Sequence, residues 1–315
     1  MGRAAAASLS EVVRHQGPVL QLATGLRNGQ LPCRQPPPLP PVRDPQGQVA
    51  VLPRTDWLAA AQAALRRGAE LDNPDHARIL CYTNRALEHL VPIARRAIHG
   101  EMADQLPVLP GEVLITRAAV MAPACRAGEE AAEEPDMLLG SNRELVVRDV
   151  TPERCDLADF GIGSSDGLTA PVIDTLNAEV DAGEARLTLR LLPPAGSTAR
   201  QELDALMAQL RQQARDAGKQ AGRALWRRYF LVRDAFASLG PAAVLTVHRS
   251  QGSTFGEVFV AGDVFWPSDA VLRRQLVYVA VSRASQAVWL VADAHRREAL
   301  AEEQRLWRDW LAAGA

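Results

Sequence analysis

The sequence predicts an α/β fold. A parallel sheet is drawn from two separated stretches of chain, and between them lies an inserted small β-barrel on a helical stalk. Two observations predict it. Strand and helix patterns alternate from Val49 to Ile98 and again from Ala242 onward, which implies parallel strands with helical crossovers. The interval between them alternates like antiparallel strands and then turns helical, so the expected segments are 1–110, 111–240 and 241–315.

The elements follow in order. Leu9, Val12, Val13, Val19, Leu20 and Leu22 form an amphipathic helical pattern, interrupted at Gly17-Pro18 and ended by Asn28-Gly29. The proline-rich run Pro32 to Pro41 is expected to be an extended linker, with a docking ligand as the second reading. Val49 to Leu52 is a short strand, and Thr55-Asp56 cap a helix from Trp57 to Arg67. Arg78 to Tyr82 is a buried strand and Asn84 to Ile98 a helix.

Within the interval, Glu112 to Thr116, Glu144 to Val150 and Ala185 to Leu192 are strands, followed by helices Glu202 to Ala217 and Arg223 to Leu239. Ala242 to Leu245 and Glu257 to Ala261 return to strand. Ser268 caps a helix from Asp269 to Ala284, Ala287 to Val291 is a strand, and His295 to Leu311 is a closing helix.

Composition bounds the chemistry. The 315 residues carry 35 basic and 37 acidic side chains, yet only Lys219 is a lysine. A phosphate loop of the form G-x-x-x-x-G-K-[ST] needs a Lys followed by a hydroxyl, and Gln220 follows Lys219, so this sequence contains no such loop. Cys33, Cys81, Cys125 and Cys155 are too far apart for a C-x-x-C site, and a reducing cytoplasm is the expected location. No apolar run approaches the roughly 18 residues of a membrane span. The histidines outside Thr246 to Gly252 show no metal-ligand spacing.

Charge is segregated in the interval. Arg126 to Asp156 holds nine acids against four Arg, whereas Arg200 to Asp234 holds eight bases against four acids. The basic stalk is either a polyanion-facing surface or a solvated helix face. Trp226, Tyr229 and Phe230 beside Arg227 and Arg228 either stack bases or pack in a core.

The densest chemical signal is T-V-H-R-S-Q-G, Thr246 to Gly252, directly after an apolar strand. Hydroxyl, imidazole and amide groups at the carboxyl end of a parallel strand stand where α/β proteins bind ligands, and Gly252 lets backbone approach a phosphate. Some thirty residues on, Gln275 to Ala284 reads Q-L-V-Y-V-A-V-S-R-A. Arg283 lies at its last turn, expected on the same sheet edge. Val258 to Asp263 is read as a core strand with a terminal turn aspartate.

These segments resemble superfamily 1 DNA helicases, most closely their RecD and phage Dda branch and the UvrD-like helicase C-terminal domain. Thr246 to Phe255 is similar to motif V, Leu276 to Ala284 to motif VI, Cys81 to Leu87 to motif IV, and Leu9 to His15 to the arginine motif after motif III. Arg249 replaces the usual Lys of motif V, Val91 stands where motif IV relatives often have Asn, and nothing resembles motifs Ia, II or III.

The resemblance implies one RecA-like domain of the P-loop NTPase fold without its own P-loop. It implies that Arg14 and Arg283 are arginine fingers, that Gln251 and Gly252 lie near ATP, and that Thr83, Asn84, Thr246 and His248 contact single-stranded DNA. Mg2+ ligands are then expected from a missing N-terminal RecA-like domain, in cis or in trans. The implied activity is that of an ATP-dependent DNA helicase of repair and recombination, with no ATP hydrolysis by this chain alone. A non-enzymatic DNA-binding or adaptor module is the alternative.

Overall fold

The computed structural model describes residues 16–122, 136–163, 168–293 and 300–312. The first part of the chain forms α1 (Gly17–Arg27), β1 (Leu39–Asp44), β2 (Gly47–Leu52), α2 (Arg54–Glu70), β3 (Ala77–Cys81) and α3 (Asn84–His99). The middle forms α4 (Met102–Gln105), β4 (Val113–Thr116), β5 (Val120–Met121), β6 (Met137–Leu139), β7 (Glu144–Asp156), β8 (Val172–Ala182), β9 (Ala185–Arg190), α5 (Thr198–Asp216), α6 (Lys219–Asp234) and β10 (Leu239–Pro241). The last part forms β11 (Val244–Thr246), β12 (Phe255–Val260), α7 (Ala270–Val281), β13 (Ala284–Val291) and α8 (Leu300–Ala312).

Two compact units result: Met1–Glu101 with Ala243–Ala315, and Met102–Ala242. Unit one is built on a six-stranded sheet in the order β1-β2-β13-β12-β3-β11. All its pairings are parallel except β1 with β2. Its central strands are near-continuous apolar runs, as sheets covered on both faces require: every residue of β3 is buried. The middle unit enters within the connection from α3 to β11, and β11 then pairs beside β3.

Trp57 and Leu65 of α2, and Leu90 and Ala94 of α3, pack on Ile79, Cys81 and Phe259. Phe259 lies edge-on to Trp57 at 6.1 Å and stacks on Trp289 at 5.5 Å. The alternate residues Leu80, Val258, Val260 and Leu290 are equally buried, and period-two alternation turns them to the other face, where α1, α7 and α8 pack.

Several expected boundaries move for local reasons. Gly17-Pro18, read as an interruption, is the start of α1, since proline is preorganised for a first helical turn. The proline-rich run is not wholly a linker. Its end forms β1, and Pro40 and Pro41 are tolerated because β1 is an edge strand. Thr55 and Asp56 lie inside the first turn of α2, which begins after Pro53, and α7 is capped by Asp269 rather than Ser268, Asp269 accepting from the Val271 amide at 2.8 Å.

In unit two, β10-β4-β7-β8-β9 form a five-stranded antiparallel sheet. The whole of β8 is unanticipated; its polar outward residues (Asp174, Asn177, Glu179) disguise the buried Ile173, Ala178 and Val180. The small β-barrel that the sequence predicts is not shown as such: the hydrogen-bonded ladder has two edges. These meet at a single bridge, where Leu192 N–H donates to Ala237 O at 3.0 Å and Ala237 N–H to Arg190 O at 2.7 Å. β10 is too short to extend that bridge and ends at Pro241, which has no N–H to give. The α5–α6 pair packs on the sheet through Leu203, Leu206, Leu210 and Val232 against Cys155, Leu157 and Ile173.

No helix among the described residues is long and apolar enough to cross a membrane.

Candidate functional site

Parallel strands bring their carboxyl ends to one edge, and β3 and β11 do this in register, with Thr246 beside Cys81. The chain leaves β3 through Tyr82 and Thr83 into α3. Thr83 is the N-cap: its Oγ1 accepts from the Ala86 amide at 3.1 Å. Asp263, just beyond β12, reaches this turn. Its Oδ2 accepts from the Tyr82 amide at 3.0 Å, the Thr83 amide at 2.8 Å and the Thr83 hydroxyl at 2.9 Å. The turn aspartate expected from the sequence is thus a buried clamp, 4% exposed, with Oδ1 lacking a partner. Burial, with the Asp263 charge second, pushes the neighbouring Cys81 thiol up to about 12, so it stays neutral.

Asn84 is exposed at the first position of α3. His248 is also exposed, its ring 6.0 Å from that of Tyr82. Thr246 differs: it is only 9% exposed, and its carbonyl accepts from the Arg249 and Ser250 amides at 2.9 and 3.1 Å. Ser250 is fully buried and donates its hydroxyl to Val247 O at 2.8 Å. Thr246 and Ser250 therefore shape the turn that presents His248.

The same edge holds a cleft of about 700 Å³. Arg54, Arg85, His89, Asp263 and Trp266 line it together with Thr83. Trp266, 69% exposed, was not anticipated, since a single Trp-Pro after a strand carries no periodic signal.

Arg283 is not on this edge. It precedes β13 directly, and a residue entering a parallel strand lies at the amino end. Its carbonyl accepts from the Phe255 amide at 2.8 Å, where β12 also begins. Its guanidinium donates to Val279 O at 3.2 Å, Ser253 O at 3.3 Å and Ser282 Oγ at 3.0 Å. The expectation of a shared edge therefore fails for a topological reason: β11 ends where β12 has yet to begin, and residues 247–254 run from one edge to the other.

Gln251 and Gly252 lie exposed in that connection. Gly252 has φ +93°, a conformation that L side chains rarely adopt, and a Cβ there would meet nothing within 4 Å. Glycine is needed here for the turn, and the space around it is open to an incoming group. The structure thus joins Thr83, Asn84, Thr246 and His248 at one edge and Arg283 with Ser253 at the other. Arg14 lies outside the described residues.

Residues 241–291 match the family model of the UvrD-like helicase C-terminal domain. This helicase-like segment contains β11, the 247–254 connection, β12, α7, Arg283 and β13. Among solved structures, the chain is similar to the Pif1 helicase from Bacteroides in complex with ADP-AlF3 and single-stranded DNA. The TM-score is 0.37 and the identity 10%, covering 96% of this chain and 56% of that one. It is also similar to the Pif1 helicase from Candida albicans, with a TM-score of 0.32 and 13% identity over 82% of this chain and 57% of that one. The chain spans less than two thirds of the length of either structure. No curated protein matches it.

Neither edge gathers a metal site: among the described residues, no group of three His, Cys, Asp or Glu side chains is placed to hold an ion.

Proposed function

We propose that this chain is the C-terminal motor domain of an ATP-dependent DNA helicase of the RecD and Dda type, working in DNA repair and recombination. The observation that carries the reading is the 247–254 connection. Within the helicase-like segment, one short stretch leaves the edge that bears Asn84 and His248 and arrives beside Arg283. Asn84 offers an amide and His248 an imidazole to the phosphates of single-stranded DNA, contacts that position a strand without reading its sequence, while Thr83, whose amide and hydroxyl are given to Asp263, fixes the turn that presents Asn84. Thr246 holds the turn in shape.

At the other edge Arg283 fits a polyphosphate by charge, and Gln251 and the open backbone at Gly252, in the connection that reaches it, are proposed as further contacts. ATP, when bound there, supplies the phosphoryl group. Arg283 faces the charge that develops on it, and Arg14 is proposed as the second such cation. A contact of this kind contributes about 10³ to 10⁵ in rate. With no lysine-bearing phosphate loop in the sequence, the cradle and the Mg2+ ligands are assigned to a separate N-terminal RecA-like domain, in cis or in trans. The curled sheet of unit two is assigned the role of the accessory barrel.

Two measurements test this. Titration of a labelled oligonucleotide is expected to show weak, salt-sensitive binding to single strands that Asn84→Ala and His248→Ala reduce. Purified chain is expected to show no Mg2+-dependent ATP turnover, but to raise the turnover of an isolated P-loop helicase domain, an effect that Arg283→Ala abolishes. Turnover by the chain alone that is lost in Arg283→Ala refutes the division of labour. The missing phosphate loop also favours a second reading, a non-enzymatic DNA-binding or adaptor module. That reading predicts strand binding with no effect on any partner's turnover.

A further inference from the structure

Helix α6 carries a feature that the motor reading leaves unused. Lys219, Arg223 and Arg227 recur every four residues, about 6 Å apart along the axis. With Phe230 they fall within about a quarter turn of one another on the helix surface. All four are exposed, and none of the three cations has a hydrogen-bond or ion-pair partner among the described residues. Three other bases of the hairpin are engaged, Arg200 with Asp204 at 2.9 Å, Arg233 with Asp234 at 2.6 Å, and Arg211 with the Tyr229 hydroxyl at 2.7 Å, while Arg215 of α5 is exposed. Asp234, the one acid of α6, is thereby already neutralised.

The aromatic residues divide in the same way. Tyr229 turns into the core with Leu210 and Val232. Phe230, one position on, is 43% exposed and belongs to a row of flat groups along the helix. Trp226 stacks with it at 5.9 Å and 27°, and the Arg233 guanidinium lies 4.7 Å from its ring centre. A core role explains Tyr229 and does not explain Phe230.

We propose that this face of α6 is a binding site for single-stranded nucleic acid, separate from the sheet edges of unit one. Lys219, Arg223 and Arg227 meet successive phosphates, and the Trp226–Phe230–Arg233 row receives unpaired bases. A duplex fits less well, because pairing and stacking close off the base faces that such a row needs.

The test uses the full chain and a fluorescein-labelled oligo-dT, with a hairpin duplex as comparison, by anisotropy at about 50 and 200 mM salt. Phe230→Ala is expected to weaken oligo-dT binding roughly five-fold or more. Arg223→Gln/Arg227→Gln is expected to lower the slope of log affinity against log salt by about 1.4, at roughly 0.7 per lost phosphate contact. Arg43→Gln/Arg66→Gln, which removes the same charge elsewhere, is expected to leave the slope unchanged. Phe230→Leu keeps the apolar bulk without the flat ring and repeats the first measurement should the alanine variant melt early.

Wild-type affinity in both Phe230 variants, an unchanged slope in Arg223→Gln/Arg227→Gln, or a duplex bound as tightly as oligo-dT overturns the proposal. The sheet-edge reading fails separately. Losses in Asn84→Ala and His248→Ala with none in the α6 variants sink only the α6 site, and the reverse pattern sinks only the edge contact.

Discussion

Asp263 concentrates more of the site in one side chain than any motif residue does. Three donors converge on its Oδ2 and fix the entry to α3. Asp263→Ala leaves the part-buried Tyr82 and Thr83 amides without this acceptor, at a cost of about 1–3 kcal/mol, read by urea denaturation. Asp263→Asn keeps an acceptor in place and is expected to cost less; equal losses would refute the clamp. Much of the site was legible at this scale. Thr246 and His248 stand out because hydroxyl and imidazole groups after an apolar strand form a local pattern, whereas Thr83 and Asn84 are marked only by the resemblance of Cys81 to Leu87 to a helicase motif. Asp263 was visible as a turn residue, but its partners lie 180 and 181 positions away, and no local pattern reports that distance. Trp266 left no signal for a related reason: exposure is a property of the fold.

At the scale of elements, the strands of unit two are joined by charge as well as by ladder bonds. Asp181 of β8 accepts from Arg148 of β7 at 2.5 Å and from Arg186 of β9 at 3.1 Å. These hydrogen bonds lower its pKa from the usual 3.8. A carboxylate with a depressed folded pKa adds stability above its unfolded value, and that stability is lost as pH falls through the folded one. Thermal melts are therefore expected to show wild type above Asp181→Asn near neutral pH, with the two converging below the ordinary carboxylate range. A gap that persists unchanged in acid contradicts the linkage. Buried parallel strands such as β3 were legible because they are uniformly apolar. β8 was not, because an antiparallel strand with one wet face dilutes its own pattern, and β1 hid within a proline run that only an edge strand tolerates.

For the molecule as a whole, separate cores decide what holds together. The cluster around Trp57, Ile79 and Phe259 belongs to unit one, and those around Leu210 and Val147 to unit two. Each unit thus buries its own apolar surface. Met102–Ala242 expressed alone is expected to melt cooperatively by circular dichroism, and a featureless melt would show that it depends on the rest. The division into two α/β stretches around an insertion was readable from texture alone. The placement of Arg283 was not, because which edge a residue occupies depends on strand direction.

The 247–254 connection has a thermodynamic consequence. If phosphate capture beside Arg283 favours one conformation of this segment, and strand capture beside His248 favours the same one, each ligand must tighten the other by an equal factor. A segment this short, pinned at one end by the Val247 amide on Cys81 O at 2.8 Å, at its middle by buried Ser250 and at the other end by the start of β12, has few conformations open to it.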